Sequence, residues 1–366
     1  MAMAQMYADS EPMKRPFRTF IGVDLGGGKG KTTALTRLRW EPASGSSAKL
    51  TPGGVLIVEE CGGSRTGPGP ASIRSGGGSS GSSRSSFGSG PSPWYDERLV
   101  EYLLHHHSDS VVAMDAPLTL TACVRCQLPV CPGLSSCEVE TVRWFRARGA
   151  AADPSGKPKY TPYTQRATEV VLHEDHGIMP RETLGQGMGP LTARMAYLRH
   201  ALSGTFVLNQ NLLEVYPKAT LTQLFPDPEP AAAAGSERSG GPAAAKKPLG
   251  IGYRDGNGRV IGLDGAARPR SAASQVARHY KRSGHALQIR EQVLSALAAL
   301  AGVHELRFGP GQWREFALQS DHQFDALICA FTAFLWATQG WQLPAEPVFR
   351  EDGWIWFPPR AAVKPD

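Results

Sequence analysis

The sequence has no apolar run long enough to cross a membrane, and its first sixteen residues contain no apolar core of a secretory signal. These absences predict a cytoplasmic protein that does not contact a membrane. In that compartment the six cysteines are expected to be free thiols or metal ligands rather than disulfides. The sequence also has no internal repeat.

A complete phosphate-binding loop is missing as well. The stretch FIGVDLGGGKGKTT, residues 20–33, ends in the GKT of the pattern G-x-x-x-x-G-K-[ST], but Leu25 stands where the pattern needs its first glycine. The following residues, TALTRLRW, alternate with period two, which predicts a strand where a phosphate loop would need a helix. We interpret the stretch as a strand, a glycine turn and a second strand. A nucleotide phosphotransferase using residues 26–33 remains an alternative hypothesis.

What is present points to one folded unit with insertions. Hydrophobic residues make up 41% of the 366 residues, enough for a sizeable core, and the net charge of +6 is compatible with a polyanionic partner. Residues 1–16 are predicted to be a flexible tail and residues 17–366 a single domain. Two tracts rich in Gly, Ser, Pro and Ala, 62–93 and 226–248, are predicted to be disordered insertions.

The order of periodic segments predicts an α/β fold. Three strands come first, followed by a helix, a strand, further helices and another strand. After the second low-complexity tract the pattern predicts two helices, over 271–284 and 285–302, and a long helix over 321–340. Residues 348–359, VFREDGWIWFPP, are predicted to be a closing hairpin with EDG as its turn. We expect a mixed sheet, a three-stranded antiparallel meander plus parallel strands, flanked by helices.

Acidic side chains interrupt three of the apolar strands. Asp24, Asp115 and Glu214 each stand at or near the end of a predicted strand, and Asp321 and Asp325 lie four apart on the last long helix. A carboxylate beside a dry core is costly unless it is hydrogen-bonded or binds a cation. Single acids of this kind are explained by turn or helix capping. For the whole set we favour a shared site, because the ends of parallel strands gather at one edge of a sheet.

Carboxylates that meet at one edge repel each other unless hard cations lie between them. Oxygen-rich sites of this type suit Mg²⁺ or Mn²⁺. Two such ions a few ångströms apart are used for phosphodiester hydrolysis. The acids therefore predict a metal-dependent nuclease that acts on DNA or RNA.

Several short motifs resemble the DUF429 family of predicted nucleases with an RNase H-like fold. They are FIGVDLGG, VVAMDAPLTL, EVYPKATL, FDALICAFTAFLWATQG and GWIWFP, in this order. The resemblance covers most of the chain outside the tail and the two low-complexity tracts. It implies an RNase H-like fold and metal ligation by Asp24, Asp115 and Asp325, with Glu214 as a further catalytic carboxylate. The segment QRATE is similar to a family helix that carries Arg166 and Glu169.

Four of the six cysteines lie within the segment 123–137 with the spacing C-x2-C-x4-C-x5-C. They are Cys123, Cys126, Cys131 and Cys137. This density in a cytoplasmic chain favours a tetrahedral site with four sulfur ligands, with structural Zn²⁺ as the first interpretation and a [4Fe–4S] cluster as the alternative. Free or redox-active thiols are the third possibility.

Basic residues supply the predicted contacts to substrate. On the turn after Asp24 they stand where a substrate phosphate could lie, and a later predicted helix carries a basic face that could hold a nucleic-acid backbone. The residues assigned to substrate binding are Lys29, Lys31, Arg166, Arg278, Lys281 and Arg282. A non-catalytic module that binds nucleic acid or protein on the same fold is the main alternative to the nuclease.

Overall fold

The computed structural model describes residues 17–27, 33–42, 54–65, 92–152, 159–227, 274–281 and 284–359. The predictions for the N-terminal tail and for most of the two low-complexity tracts lie outside these residues.

Within the described residues, seven strands form one mixed sheet and two short strands form a separate pair. The strands are β1 (Thr19–Asp24), β2 (Ala34–Glu41), β3 (Val55–Gly62), β4 (Ser64–Arg65), β5 (Ser92–Pro93), β6 (Ser110–Asp115), β7 (Leu212–Val215), β8 (Glu305–Phe308) and β9 (Ile355–Trp356). The large sheet has the order β8-β3-β2-β1-β6-β7-β9, and β4 pairs with β5.

Helices flank the sheet. They are α1 (Asp96–His105), α2 (Ala122–Arg125), α3 (Glu140–Ala152), α4 (Ala167–Glu174), α5 (Gly189–Leu202), α6 (Pro217–Leu224), α7 (Gln275–His279), α8 (Ala286–Ala301), α9 (Trp313–Gln319), α10 (Asp321–Gln339) and α11 (Val348–Asp352). In the part of the chain that is described, no helix is long and apolar enough to cross a membrane.

The sheet confirms the predicted combination of a meander with parallel strands. Strands β1, β2 and β3 are antiparallel neighbours, whereas β6 runs parallel to β1 and β7 runs parallel to β6. The meander follows from the period-two alternation of the first strands, and the parallel pairs follow from the helices that connect the later ones.

The predicted closing hairpin over 348–359 is wrong. Residues up to Asp352 form α11, and β9 lies parallel to β7 at the sheet edge. The carboxylate of Asp352 is buried and accepts a hydrogen bond of 2.9 Å from the backbone N–H of Ala167, the first residue of α4. The EDG sequence therefore ends a short helix and caps another one instead of turning between two strands.

The predicted helix over 271–284 is also shorter than expected. Helix α7 ends at His279, and Lys281 lies in the turn that follows. The basic face predicted for Arg278, Lys281 and Arg282 on one helix is therefore not formed as such, and Arg282 lies outside the described residues.

The long helix α10 lies directly across the middle of the sheet. Its residues from Phe324 to Ala337 are all buried. At Gly22 on β1 the helix backbone comes so close that a Cβ atom would collide with the backbone of Ala326 and Ala330. Only glycine allows this approach, and it places the start of α10 beside the end of β1.

Candidate functional site

Two of the predicted acids lie side by side at the ends of adjacent strands. Strand β1 ends at Asp24 and strand β6 ends at Asp115, and the parallel pairing makes these two residues direct partners in the register. Directly paired residues present their side chains on the same face of a sheet. This is the face on which α10 packs, because Gly22, two residues before Asp24, contacts that helix.

The third acid comes from the first turns of α10. The hydroxyl of Ser320 accepts a hydrogen bond from the backbone N–H of Gln323 and caps the helix start, so that Asp325 projects from its second turn. One ligand oxygen from each of Asp24, Asp115 and Asp325 lies within 4.8 Å of the others. The structure thus brings together three of the four acids predicted to be catalytic.

Burial makes this acidic group electrostatically strained. Asp24 is 8% exposed and Asp325 is fully buried. Burial, together with the charges of Asp24 and Asp325, raises the pKa of Asp115 well above its usual range. Burial raises the pKa of Asp325 to about 6, although the charge of Lys281 lowers it.

None of the three carboxylates is used to cap backbone. Among the described residues, no backbone N–H donates to Asp24, Asp115 or Asp325, and the charged side chains that meet them are His322 at Asp24 and Lys281 at Asp325. Turn capping, the simpler explanation of these acids, is therefore not what the fold uses them for. Buried carboxylates that are not bound to backbone donors are suited to receive a cation.

Two cationic side chains reach the acidic group from the solvent side. The Nζ atom of Lys281 lies 2.5 Å from Oδ2 of Asp325. The Nδ1 atom of His322 lies 2.6 Å from Oδ2 of Asp24, and this hydrogen bond raises the pKa of His322. Both side chains remain nearly half exposed. Lys281, predicted to bind substrate, is thus held by a site carboxylate in this structure.

His322 and Tyr280 belong to the site and were missed by the sequence analysis. His322 stands three residues before Asp325, so the helical period places both on one face of α10. That spacing was a usable signal. Tyr280 is buried beside Asp325, and burial followed by the charge of Asp325 raises its pKa well above the usual range. The sequence offered no comparable signal for the tyrosine, because it precedes Asp325 by forty-five positions.

The fourth predicted acid, Glu214, lies outside this group. Its partner in the register is Met114 rather than Asp115, so its side chain points to the opposite face of the sheet. It is buried and accepts two hydrogen bonds from Arg166, at 2.7 and 2.5 Å. Its carboxylate also accepts a bond of 2.8 Å from the backbone N–H of Leu118. Glu214 therefore holds the loop that follows Asp115.

Arg166 is not placed to bind substrate. Its side chain is 1% exposed, and it donates to Glu169 as well as to Glu214. The pair Arg166 and Glu169 also forms the capping box at the start of α4. The prediction of substrate contact is corrected, because a fully buried guanidinium with two carboxylate partners has no surface to offer a ligand.

The other predicted basic contacts are not assembled here. Arg278 is paired with Asp227, with 3.1 Å between their closest atoms. Lys29, Lys31 and Arg282 lie outside the described residues, as does most of the glycine turn proposed as an alternative nucleotide site.

The four clustered cysteines lie near one another around α2. Cys123 is half-buried, Cys137 is buried, and Cys126 and Cys131 are exposed. Burial raises the pKa of the Cys123 thiol, and the thiols of the other three raise it further. Among the described residues, only the acidic group described above has three or more ligand atoms within 4.8 Å of one another. The four sulfurs are therefore not drawn together into the predicted tetrahedral site.

The donor set of the acidic group fits a hard divalent cation. Three carboxylates supply oxygen ligands from two strands and one helix, and their separation is short enough for one ion to contact all three. Bringing three negative charges together without a cation is unfavourable. The three carboxylates could therefore hold a metal ion.

No family model, curated protein or solved structure matches the chain.

Proposed function

We propose that this chain is a metal-dependent nuclease that hydrolyses phosphodiester bonds of nucleic acid with Mg²⁺ or Mn²⁺. The observation that carries the proposal is the convergence of Asp24, Asp115 and Asp325, whose ligand oxygens lie within 4.8 Å of one another. They belong to two adjacent parallel strands and to the helix packed across them. A bound pair of such ions would activate water and stabilise the leaving oxygen.

The strand arrangement supports an RNase H-like fold as part of this proposal. The meander β1–β2–β3, with β6 and β7 added in parallel on the other side of β1, gives acids at the centre of the sheet. This is the arrangement implied by the resemblance to the DUF429 family. The position of the third acid on the long last helix agrees with the same resemblance.

The chain's own residues take distinct roles in the proposed reaction. Asp24, Asp115 and Asp325 hold the cations, and the register of β1 against β6 fixes the first two relative to each other. His322 holds the carboxylate of Asp24 from the solvent side through its Nδ1 atom. Lys281 supplies positive charge at the mouth of the site, where a polyanionic substrate must enter.

The experiment is hydrolysis of end-labelled single-stranded DNA, double-stranded DNA and RNA, with Mg²⁺, Mn²⁺ or EDTA. We expect cleavage by the wild type with metal, and a loss of at least about 100-fold in Asp115→Asn and Asp325→Asn. Asp321→Asn is the matched control, because Asp321 begins the same helix but lies outside the acidic group. Its activity should be close to that of the wild type.

Two results would contradict the proposal. One is equal activity in the wild type and both site variants, which would identify a contaminating nuclease. The other is the absence of cleavage on every substrate, together with oligonucleotide binding that Asp115→Asn leaves unchanged. That outcome would favour the non-catalytic nucleic-acid-binding module. Thermal melts of each variant show whether the fold is retained.

A further inference from the structure

A cavity lies beside the loop that follows Asp115. Its volume is about 280 Å³, just below the usual range for ligand-binding pockets. One wall is the loop Pro117–Leu120, and the opposite wall is formed by α5 and Ser203. Arg125 at the end of α2 closes the cavity, which we call the Arg199 cavity after the residue that dominates its charge.

The lining of the Arg199 cavity is cationic. Its ten lining residues include Arg125, Arg199 and His200, and none of them is an aspartate or glutamate. Arg125 already has a carboxylate partner, because its guanidinium forms an ion pair with the buried Asp352. Arg199 differs in this respect, since no carboxylate among the described residues forms an ion pair with it.

Arg199 has hydrogen-bonding capacity to spare. Its side chain is half-buried, and a single bond of 2.8 Å joins its guanidinium to the carbonyl of Leu118. Arginine carries five N–H donors, so most of them remain available to a ligand. Burial and the nearby charge of Arg125 lower the pKa of Arg199, although the charge of Glu214 raises it. The positive charges of Arg125 and Arg199 therefore oppose each other. An anion between them would relieve this repulsion.

Phosphate is the anion that this arrangement suits. The planar guanidinium matches two phosphate oxygens at once, and hydrogen bonds between two ions are stronger than neutral ones. Helix α5 packs against Ile21 and Val23, on the sheet face opposite to α10, so the cavity reaches the acidic group along the loop that follows Asp115. Leu118 follows Asp115 by three residues, a distance of at most about 11 Å along the chain.

We propose that the Arg199 cavity binds a phosphate group of the substrate strand, close to the phosphate cleaved at the acidic group. This inference rests on the proposed nuclease function, which supplies the strand. It assigns Arg199 a direct contact to phosphate and leaves Arg125 the role of adding positive potential. The hydrogen bond from Arg199 to Leu118 fixes the guanidinium at the edge of the loop that follows Asp115.

The test measures the binding of a fluorescein-labelled oligonucleotide by anisotropy, in the Asp325→Asn background and in Mg²⁺, at several salt concentrations. We expect Arg199→Gln to weaken binding at least about tenfold and to reduce the salt slope by about one. Arg199→Lys should retain part of the affinity. The matched control is Arg143→Gln, which removes the same charge from an exposed position on α3 and should change affinity less than about twofold.

Competition with inorganic phosphate tests whether a free anion and the oligonucleotide bind to the same guanidinium group. At constant ionic strength it should compete with the oligonucleotide more strongly in Arg199-containing protein than in Arg199→Gln, because both ligands use the same guanidinium. Equal binding by Arg199→Gln and Arg143→Gln would overturn the inference. So would weaker binding with an unchanged salt slope, which would mean that the loop had merely collapsed.

The two proposals fail in different ways. If the wild type cleaves and Asp115→Asn does not, but Arg199→Gln binds normally, only the cavity inference fails. If no substrate is cleaved but phosphate binding still depends on Arg199, the nuclease proposal fails and the anion site stands.

Discussion

Replacing Lys281 by methionine should increase the affinity of the site for divalent cations. In the structure the ammonium group of Lys281 lies 2.5 Å from Oδ2 of Asp325. A divalent cation that binds Asp325 must displace this ammonium group or accept its repulsion. Lys281 is therefore a competitor for the position that the metal needs, and methionine keeps most of its volume without the charge.

The magnitude follows from the interaction that the metal has to break. A hydrogen bond between two charged groups contributes about 1.5–3 kcal/mol, and the half-exposed position of Lys281 places this pair at the lower end of the range. Removing the competitor should therefore tighten metal binding by about 10-fold, with 100-fold as the upper bound.

Protons also compete for Asp325, and this sets the conditions of the assay. The pKa of this carboxyl is raised to about 6 by burial while Lys281 holds it down, so the variant will have a higher value still. Titrations at pH 8 keep Asp325 ionised in most molecules. At pH 6 the gain in metal affinity should shrink, because protonation then opposes metal binding in the variant more than in the wild type.

The assay is isothermal titration of metal-free protein with Mn²⁺, repeated with Mg²⁺. Lys218→Met is the control, since Lys218 is a neighbouring half-buried lysine on α6 that forms no ion pair among the described residues. Its metal affinity should equal that of the wild type. An unchanged or weaker affinity in Lys281→Met, with binding abolished in Asp325→Asn, would refute the competition and leave Lys281 as a substrate contact.

Four further predictions concern stability and metal content. Asp115→Asn should raise the melting temperature of the metal-free protein at pH 8 by at least about 2–4 °C, because it removes a buried like charge. Because the pKa of Asp115 is raised in the folded state, the folded protein binds a proton at a higher pH than the unfolded protein does. The free energy of unfolding of the wild type should therefore increase as the pH falls from 8 to 5, and it should increase less in Asp115→Asn. Gly22→Ala should lower the free energy of unfolding by more than about 3 kcal/mol and abolish Mn²⁺ binding, because the added Cβ pushes α10 away from β1. A denaturation midpoint equal to that of the wild type would argue against this. Arg166→Met should lower the free energy of unfolding by about 3–5 kcal/mol, measured by urea denaturation, because it leaves two buried carboxylates without a partner. If zinc draws the four clustered sulfurs together on binding, protein purified without chelator should contain one zinc ion that Cys126→Ser removes; metal analysis that finds neither zinc nor iron would end that hypothesis, and a brown colour would favour the iron–sulfur alternative.

Part of the site was predictable because it depends on short-range periodicity. Asp24 and Asp115 end apolar strands, and parallel strands must bring such ends to one edge of the sheet. Asp325 lies on a long helix with a regular apolar stripe, so local sequence determined both the helix that carries this residue and the helix face on which it stands. The order of the first three strands and the position of the long helix followed from the same patterns.

Glu214 shows where this reasoning stops. An acid near the end of a strand faces one side of the sheet or the other, depending on register, and the register of β7 against β6 is set by contacts far apart in the sequence. A shift of one residue would have placed Glu214 with Asp115. Instead Glu214 forms an ion pair with Arg166, which stands at the start of helix α4 and which no local sequence pattern connects with Glu214. Residues 348–359 were wrongly predicted to be a hairpin for a similar reason, since the buried carboxylate of Asp352 accepts a hydrogen bond from the backbone N–H of Ala167 at the start of α4.

The acidic group reduces the stability of the fold, which indicates that its carboxylates are present for a functional reason. A fold selected only for stability would replace a buried carboxylate that lacks donors with an amide or an apolar side chain, because the charge costs free energy wherever its pKa is raised. The neighbouring Glu214 shows the contrast, since it is just as buried but accepts two hydrogen bonds from Arg166 and one from the backbone N–H of Leu118. Asp325 has only the half-exposed Lys281 as its ion-pair partner, and Asp115 forms no ion pair among the described residues. A divalent cation would balance all three charges of the group at once, because one oxygen of each carboxylate lies within 4.8 Å of the others.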